Sequence, residues 1–323
     1  MGQFTSLDSA DFAELADEFG LGAVRQARAV AAGTINTNFK LVTERGQFFL
    51  RINEGKTESD VAWEARLVTQ LAADGVATPA PMVASNGLPY ARTSSHDKWA
   101  SVFPWRGGVH IAAHEVTPAH AGACGSTLAM LHCAGLKLPA DWGRTSIYDH
   151  FHLMERFDRV SQSDDSALAS AVEILREELH LASANAAVRH AATHGIIHGD
   201  LFRDNVLWDG ERVAAVLDFE QASTGSLAYD LAVCINDWCW TNEPRLDLVK
   251  ALLGGYQAVR PLSEADRTAL PIEVRAAAAR FTLTRITDVY LAKVDKPEKD
   301  FRAFLARSKA WRGPALGQLA AVV

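Results

Sequence analysis

The sequence predicts an α+β protein with a small antiparallel sheet in its N-terminal part and a larger, mainly helical C-terminal part. Up to about residue 103, short runs of β-branched and aromatic residues alternate with glycine-containing turns. Beyond that point, apolar residues recur every three or four positions over long segments, as in amphipathic helices. The length of 323 residues exceeds what one compact core usually supports, which favours two lobes.

The N-terminal part, 1–103, is predicted to open with a helix that ends at a glycine. Three strand-like runs follow, and the turn ERGQ joins the last two as a hairpin. A second helix leads to an edge strand, a Ser-Asn-Gly turn and two more strands. The corresponding segments are LDSADFAELADEFGLG, VRQARAVAAG, TNFKLVTERG, QFFLRINEG, ESDVAWEARLVTQLAADG, TPAPMVASNGLPYARTS and KWASVFPW.

The C-terminal part, 104–323, begins at PWRGG, where a proline and paired glycines interrupt the pattern. The periodicity there predicts helices over 117–136, 147–160, 164–193, 226–240, 244–259 and 263–293. The exception is 196–219, where two short β runs flank a polar loop.

Composition excludes several classes of function. Hydrophobic residues make up 48% of the chain and charged residues 22%, as in ordinary globular proteins. The net charge of −7 gives no basic field for nucleic acid, and no apolar run is long enough to cross a membrane. Four scattered cysteines indicate reduced thiols and a cytoplasmic protein. The sequence neither requires nor excludes a homodimer.

Three polar residues stand out in IIHGDLFRDNVLWDGERVAAVLDFE, residues 196–220. Asp200 and Asn205 lie in the loop, and Asp218 ends the second arm of the hairpin NVLWDGERVAAVLDF. Antiparallel pairing brings Asn205 and Asp218 to the same end of that hairpin. We therefore expect the three side chains to converge.

Such a set suits phosphoryl transfer. A carboxylate, here Asp200, accepts the proton of the attacking hydroxyl, and hard oxygen ligands, here Asn205 and Asp218, hold Mg²⁺ against nucleotide phosphates. The alternative is that Asp and Asn merely stabilise turns through local hydrogen bonds. That explanation suffices for one such residue and is weaker for three in this strand, loop and hairpin setting.

The segments HGDLFRDNVL, VLDFEQAS and AYDLA together resemble the catalytic segment of the aminoglycoside phosphotransferase/choline kinase superfamily. The variant GDLFRDNVL, with YDLAVCINDWC downstream, is more similar to the homoserine kinases of that superfamily. The resemblance spans about residues 25–315. It implies a bilobal protein-kinase-like fold and the ATP-dependent phosphorylation of a small-molecule hydroxyl acceptor. For homoserine, the product would be O-phospho-L-homoserine, an intermediate of threonine biosynthesis.

The resemblance assigns roles to five residues of the C-terminal part. It implies that Asp200 is the catalytic base and that Asn205 and Asp218 bind Mg²⁺. It also implies that His198 and Asp230 brace the loop from behind. Asp230 is equally explained as a residue that begins the helix after GSLAY.

A kinase of this type also needs groups that hold the phosphates of ATP. The polar run AAGTINTNF contains Gly33, Asn36 and Asn38 between two predicted strands, where a phosphate-covering loop belongs. It departs from the Glu-Asn-Ser-Asn version of homoserine kinases, and a simple hairpin turn explains it equally well. Arg51 in FFLRIN is the expected phosphate anchor, and Glu64 its partner. These two could instead be an exposed strand arginine and a helix-surface glutamate.

The adenine is expected against the strand end SVFPW, with Val102 as a backbone contact. A zwitterionic acceptor such as homoserine needs a cation for its carboxylate and an acid or carbonyl groups for its ammonium. The candidates are Arg203, Asp204, Asn236, Asp237 and Arg285. Each is explained at least as well by a structural ion pair.

Other acceptors and activities stay open. Trp238 and Trp240, with Asp237, would suit a choline-type cation. An aminoglycoside or a methylthioribose-like sugar would also fit the superfamily. A non-catalytic nucleotide-binding module is disfavoured because a pure binder needs no base. A protein kinase is disfavoured because neither DFG nor APE occurs in the chain.

Overall fold

The computed structural model describes residues 5–30 and 36–323. Its internal contacts divide the chain into two compact units. The first unit is Met1–Gly108 together with Ala214–Leu217, and the second is Val109–Val213 together with Asp218–Val323. Across the described ranges, no helix is long and apolar enough to pass through a bilayer.

The first unit is built on a five-stranded antiparallel sheet with the strand order β1-β2-β3-β5-β4. Its elements are α1 (Ser9–Glu18), β1 (Val24–Ala29), β2 (Thr37–Thr43), β3 (Gly46–Asn53), α2 (Glu58–Ala73), β4 (Ala91–Arg92) and β5 (Trp99–Pro104). The predicted β2–β3 hairpin is confirmed, with Thr43 opposite Gly46. Gly46 has φ +139°, a conformation that other residues rarely adopt.

Local signals explain the two helices of this unit. Each begins with a capping box: Asp8 accepts from Asp11 N–H, and Thr57 accepts from Asp60 N–H, while each acid bonds back to its cap. The apolar face of α1 packs on the sheet through Leu15, against the buried strand residues of the unit's main core. That core contains Leu15, Ala16, Phe19, Leu21, Leu41, Phe48, Leu50, Ile52, Ala84, Ala91, Ala100 and Val102.

The predicted edge strand at the start of TPAPMVASNG is wrong, because 78–84 contains no strand. Pro79 and Pro81 have no N–H to donate to a strand ladder. The segment is instead held to β5 by a bond in which Met82 N–H donates to Val102 O at 2.7 Å. Between α2 and β5, all of which the structure describes, the only strand is the short β4.

The second unit is mainly helical, as predicted. Its helices are α3 (Pro118–Gly135), α4 (His150–Ser161), α5 (Ala169–Ala184), α6 (Ala186–Ala191), α7 (Leu227–Trp238), α8 (Leu246–Val259), α9 (Glu264–Arg285), α10 (Phe301–Ala310) and α11 (Pro314–Ala320). The long helix α9 is central and packs against α4, α5, α7 and α10. The predicted α+β class, with a sheet in the N-terminal part and helices in the C-terminal part, is confirmed.

Two predicted helices end earlier than their periodicity suggests. The segment predicted as one helix over 164–193 is divided into α5 and α6 at Asn185. Asn185 Nδ2 donates to Leu181 O at 2.9 Å, so its side chain competes with the backbone for that carbonyl. The segment predicted over 263–293 leaves the α-helix at Arg285 and continues as one π-helical turn, Ile286–Tyr290.

Four short strands surround the polar loop singled out in the sequence. They are β6 (His194–Ile197), β7 (Val206–Asp209), β8 (Arg212–Val216) and β9 (Ser223–Ser226). The predicted hairpin is present as the β7–β8 pair. Strand β6 pairs with β9, which the sequence did not predict because the run STGS carries no apolar pattern.

Candidate active site

The loop between β6 and β7 is held from behind by the buried carboxylate of Asp230 on α7. Asp230 Oδ2 accepts the backbone N–H of His198 at 2.7 Å, and Oδ1 accepts that of Gly199 at 2.8 Å. His132 Nε2 lies 3.0 Å from Oδ2. Burial alone would raise the pKa of Asp230, but the hydrogen bonds from His132 and from the His198 N–H lower it below its ordinary value. A charged, fully bonded carboxylate thus sets the backbone of the loop.

The His-Gly-Asp sequence at the start of the loop has a geometric reason. Gly199 has φ +75°, and a Cβ atom there would lie 3.2 Å from the Gln221 carbonyl oxygen. His198 is fully buried, its ring packs 4.8 Å from that of Phe219, and its Nδ1 accepts the Asp200 N–H at 3.3 Å. The turn therefore directs the Asp200 side chain to a defined place.

Asp200 lies among charged and polar groups of the second unit. Gln221 Nε2 donates to its Oδ2 at 3.2 Å, and Arg280 Nη1 lies 3.9 Å from its Oδ1. Burial and the negative charges of Asp218 and Asp204 raise the pKa of Asp200 to about 7, although Arg280 opposes this. A carboxylate with such a pKa can hold a proton near neutral pH, as a general base must.

Asn205 and Asp218 have the chemistry expected of magnesium ligands. Asn205 Nδ2 donates to Asp200 O at 2.8 Å, which orients the amide so that its oxygen faces away from this bond. Asp218 has φ +62°, a strained value that asparagine and aspartate tolerate better than most residues. One carboxylate and one amide oxygen suit Mg²⁺, which keeps waters and takes further ligands from phosphates. The residues therefore fit the ion that the sequence implies.

Arg280 on α9 is a neighbour of Asp200 that sequence reasoning missed. It is 3% exposed, and its guanidinium lies 4.0 Å from the ring centre of Tyr148. Its Nη2 donates to Gln221 Oε1. The only sequence signal was a single arginine ending the run RAAAAR, which reads as ordinary helix composition.

The predicted acceptor residues separate into different environments. Arg203 binds Asp237 through Nε and Nη2, at 3.0 and 3.1 Å, so each neutralises the other. Asp204 is exposed, and Arg285 is half-buried, stacks on Phe304 at 4.5 Å and donates to the Asp300 carbonyl at 3.2 Å.

Asn236 is fully buried and belongs to the core of the second unit. Its Nδ2 donates to Ala232 O and Val274 O, at 3.0 and 2.9 Å, and its Oδ1 accepts from Trp311 Nε1 at 3.0 Å. These three bonds give the amide a structural role, and we leave it out of the proposed acceptor site.

The two tryptophans considered for a choline-type acceptor are also core residues. Trp238 is fully buried and donates from Nε1 to Leu201 O at 2.9 Å. Trp240 is 5% exposed, and Arg307 already lies 5.0 Å from its ring centre. Both rings are thus enclosed by the protein, so this geometry does not favour a choline-type pocket.

In the first unit, Arg51 and Glu64 form a buried ion pair. Arg51 Nη1 lies 2.8 Å from Glu64 Oε1, and Lys56 Nζ lies 3.2 Å from Oε2. Burial raises the pKa of Glu64, but the charges of Arg51 and Lys56 lower it overall. Two cations therefore share this carboxylate. Lys56 was not predicted.

The remaining nucleotide-site candidates differ in what surrounds them. Gly33 lies outside the described residues. Asn36 and Asn38 are buried, and Asn36 Oδ1 accepts the Glu54 N–H at 3.1 Å. Val102 is fully buried, and its carbonyl already accepts the Met82 N–H. None of these observations tests contact with a nucleotide, so their roles stay predictions.

Comparison with known proteins gives consistent results. A family model described as APH, phosphotransferase enzyme family, matches residues 26–262. The homoserine kinase of Afipia carboxidovorans is 33% identical over 291 residues, covering 89% of this chain and 87% of that protein. The homoserine kinase of Rhodopseudomonas palustris is 33% identical over 302 residues, with 92% and 89% covered.

Among solved structures, a microcompartment-associated aminopropanol kinase is similar, with a TM-score of 0.72. The identity is 19%, and 92% of this chain and 94% of that chain are covered. At this identity the likeness concerns the fold alone. It confirms the predicted protein-kinase-like fold.

Proposed function

We propose, from the premise that this chain belongs to the APH phosphotransferase enzyme family, that it transfers the γ-phosphoryl group of ATP to the hydroxyl of L-homoserine. The kinase activity on a hydroxyl acceptor follows from the family. The choice of homoserine is supported by relatives named homoserine kinase that are 33% identical along almost all of both chains.

The observation that best supports the mechanism is the pair of hydrogen bonds by which Asp230 holds the loop before Asp200. Asp230 holds the two residues before Asp200, so the carboxylate is in place before the acceptor arrives. Asp200 then orients the acceptor hydroxyl and takes its proton as the oxygen attacks the γ-phosphorus in line. Beyond this proton transfer, the protein contributes mainly by positioning the reactants and stabilising charge, which dominate the catalysis of phosphoryl transfer.

The other proposed roles concern the charge of ATP. Asn205 and Asp218 are the proposed ligands of Mg²⁺, which would offset the negative charge of the phosphates. Arg51, oriented by Glu64, is the proposed phosphate anchor, because a guanidinium stays charged and binds phosphate oxygens through a rigid fork. Lys56, which also pairs with Glu64, is a second proposed cation for the phosphates.

The decisive experiment measures ADP release with Mg²⁺ and ATP in the presence of L-homoserine, L-threonine, choline or methylthioribose. We expect the highest kcat/KM with L-homoserine. Asp200→Asn is expected to lower kcat by about 10²–10⁴-fold, the usual contribution of a positioned general base. Asp209→Asn, at an exposed carboxylate on the neighbouring hairpin, serves as the matched control and should leave kcat unchanged.

Two results would contradict the proposal separately. Near-normal turnover in a folded Asp200→Asn variant would remove Asp200 as the base. A wild-type preference for another acceptor over L-homoserine would leave the kinase intact and remove homoserine as its substrate.

A further inference from the structure

Within the described chain, the guanidinium of Arg280 is buried without a hydrogen-bonded counter-ion. Among residues 5–30 and 36–323, the carboxylate within 4.0 Å is that of Asp200, at 3.9 Å, beyond hydrogen-bonding distance. Its Nε has no hydrogen-bond partner in the same part of the chain. A buried charge in this state is costly unless something else binds it. The site therefore has capacity for an anionic group.

Three other arginines of the second unit, Arg203, Arg275 and Arg285, differ from Arg280. Arg307 is also buried without a carboxylate partner in the described part of the chain, but it donates to the backbone carbonyls of Asn236 and Ala303. Arg203 is neutralised by two bonds to Asp237, and Arg275 by two bonds to Glu178 at 2.8 and 2.7 Å. Arg285 lies five residues from Arg280 on α9, but it is half-buried and donates to a backbone carbonyl. Among the arginines compared, Arg280 is the one that is deeply buried, lies within 4.0 Å of Asp200 and has a donor atom, Nε, without a hydrogen-bond partner in the described residues.

The surroundings of Arg280 hold it rigidly. Tyr148 packs against the guanidinium plane, and Gln221 accepts from Nη2 while donating to Asp200. A cavity of about 530 Å³ in the second unit is lined by Arg280, Gln221 and Gly199, the residue before Asp200. A small molecule in this cavity can therefore reach Arg280, and the carboxylate of Asp200 lies 3.9 Å from that guanidinium.

We infer that Arg280, held by Gln221, binds the carboxylate of the acceptor and so selects short hydroxy acids over amino alcohols that lack a carboxylate. This deepens the proposed function and rests on it. In L-homoserine, three carbon atoms separate the hydroxyl oxygen from the carboxylate carbon. A molecule of that length can place its hydroxyl at Asp200 and its carboxylate at the adjacent Arg280. The planar guanidinium pairs with a carboxylate through two parallel bonds.

The test compares L-homoserine with 3-amino-1-propanol, which has the same amine and hydroxyl spacing but no carboxylate. Arg280→Met is expected to lower kcat/KM for L-homoserine by about 10²-fold or more, because it removes one partner of a buried charge pair. The loss for 3-amino-1-propanol should be at least about tenfold smaller, because that substrate makes no such pair, whereas any effect of the variant through Asp200 is common to both substrates. Arg280→Lys keeps the charge and most of the volume, and should show a smaller selective loss.

Arg285→Met tests the other arginine of this helix that was considered for the carboxylate, and Arg267→Met, at an exposed arginine of the same helix, is the matched control. Neither variant should change the ratio of kcat/KM values for the two substrates. An equal loss on both substrates in folded Arg280 variants would mean that Arg280 only positions Asp200, and would overturn the inference. A selective loss in Arg285→Met instead would place the carboxylate there, with the same consequence.

Failure of the proposed function has a different signature. If wild-type protein phosphorylates 3-amino-1-propanol better than L-homoserine, homoserine is not the substrate and the inference falls with it. If L-homoserine is the better substrate but Arg280→Met and Arg280→Lys keep that preference, only the inference about Arg280 is wrong.

Discussion

At the scale of single residues, Asp230 does the most to fix the proposed catalytic loop. Its two oxygens accept from His198 and Gly199, while His132 lies against Oδ2. His132 is in turn held by Tyr256, whose hydroxyl lies 2.8 Å from Nδ1. All these groups are buried, so each lost bond leaves a donor unsatisfied in a low-dielectric environment.

Asp230→Asn is expected to lower the free energy of unfolding at pH 7 by about 1–3 kcal/mol, because an amide cannot accept from all three donors. The loss should depend on pH in a defined direction. The pKa of Asp230 is lowered in the folded protein from 3.8, so its ionised form stabilises the fold above that value. As the pH falls through the folded-state pKa, this stabilisation disappears. Urea unfolding at several pH values should therefore show the gap between wild type and variant narrowing below about pH 4.

The control for this experiment is Asp141→Asn, a change at an exposed aspartate of the same unit. It should leave the free energy of unfolding within about 0.5 kcal/mol of wild type. A gap for Asp230→Asn that stays constant from pH 7 to pH 3 would contradict the proposed ionisation.

At the scale of secondary-structure elements, the pairing of α3 with α8 depends on glycines. A Cβ atom on Gly125 would lie 2.0 Å from the Leu252 carbonyl oxygen, and one on Gly255 would lie 2.0 Å from the Gly122 carbonyl oxygen. The two helices therefore approach with backbone against backbone. This contact matters for the site because α3 also carries His132, which reaches Asp230.

Gly255→Ala is expected to destabilise the protein by about 3 kcal/mol, since the methyl group meets backbone atoms that cannot move alone. Gly254, the preceding residue of α8, offers the matched control Gly254→Ala, because a methyl group there would meet no atom of the described residues within 4 Å. That change should be neutral or stabilising by up to about 1 kcal/mol, because alanine is the better helix former. Denaturant unfolding of both variants gives the comparison, and equal stabilities would refute the close-packing explanation.

At the scale of the whole molecule, the chain passes from the second unit into the first at Ala214 and returns to the second unit at Asp218, the proposed metal ligand. Residues Ala214–Leu217 belong to the first unit, where Val216 N–H donates to Ala77 O at 2.6 Å. Asp218, the next residue, belongs to the second unit and has φ +62°. A ligand that binds Asp218 only in the folded protein should raise the stability of the fold.

Mg²⁺ and ATP together are expected to raise the melting temperature. At a free concentration of 100 times Kd, a ligand that binds only the folded state adds about 2.7 kcal/mol. Asp218→Asn should lose most of this shift while the unliganded melting temperature changes little, because asparagine tolerates a positive φ. Removal of Mg²⁺ with a chelator should reduce the wild-type shift in the same way. A shift that is unaffected by both changes would exclude Asp218 from the metal site.

Local sequence patterns predicted much of this structure. The α+β class, the β2–β3 and β7–β8 hairpins and most helices follow from periodicity and turn residues that lie close together in the chain. The proposed roles of Asp200 and Asn205 could be suggested for the same reason, because both residues lie within one short motif. Strand β9 escaped because backbone pairing with β6 does not require an apolar pattern.

The sequence alone determined the α+β class and pointed to a kinase, with the proposed catalytic residues in one loop and hairpin. Only the tertiary structure decided which cation remains available beside that loop. The sequence does not distinguish between the three arginines Arg203, Arg280 and Arg285. In the structure, Arg203 pairs with Asp237, and Arg285 donates to a backbone carbonyl. Arg280 is buried next to Asp200, and its Nε has no hydrogen-bond partner among the described residues. The reason is that an ion pair depends on which helices pack together, and those partners are distant in the chain.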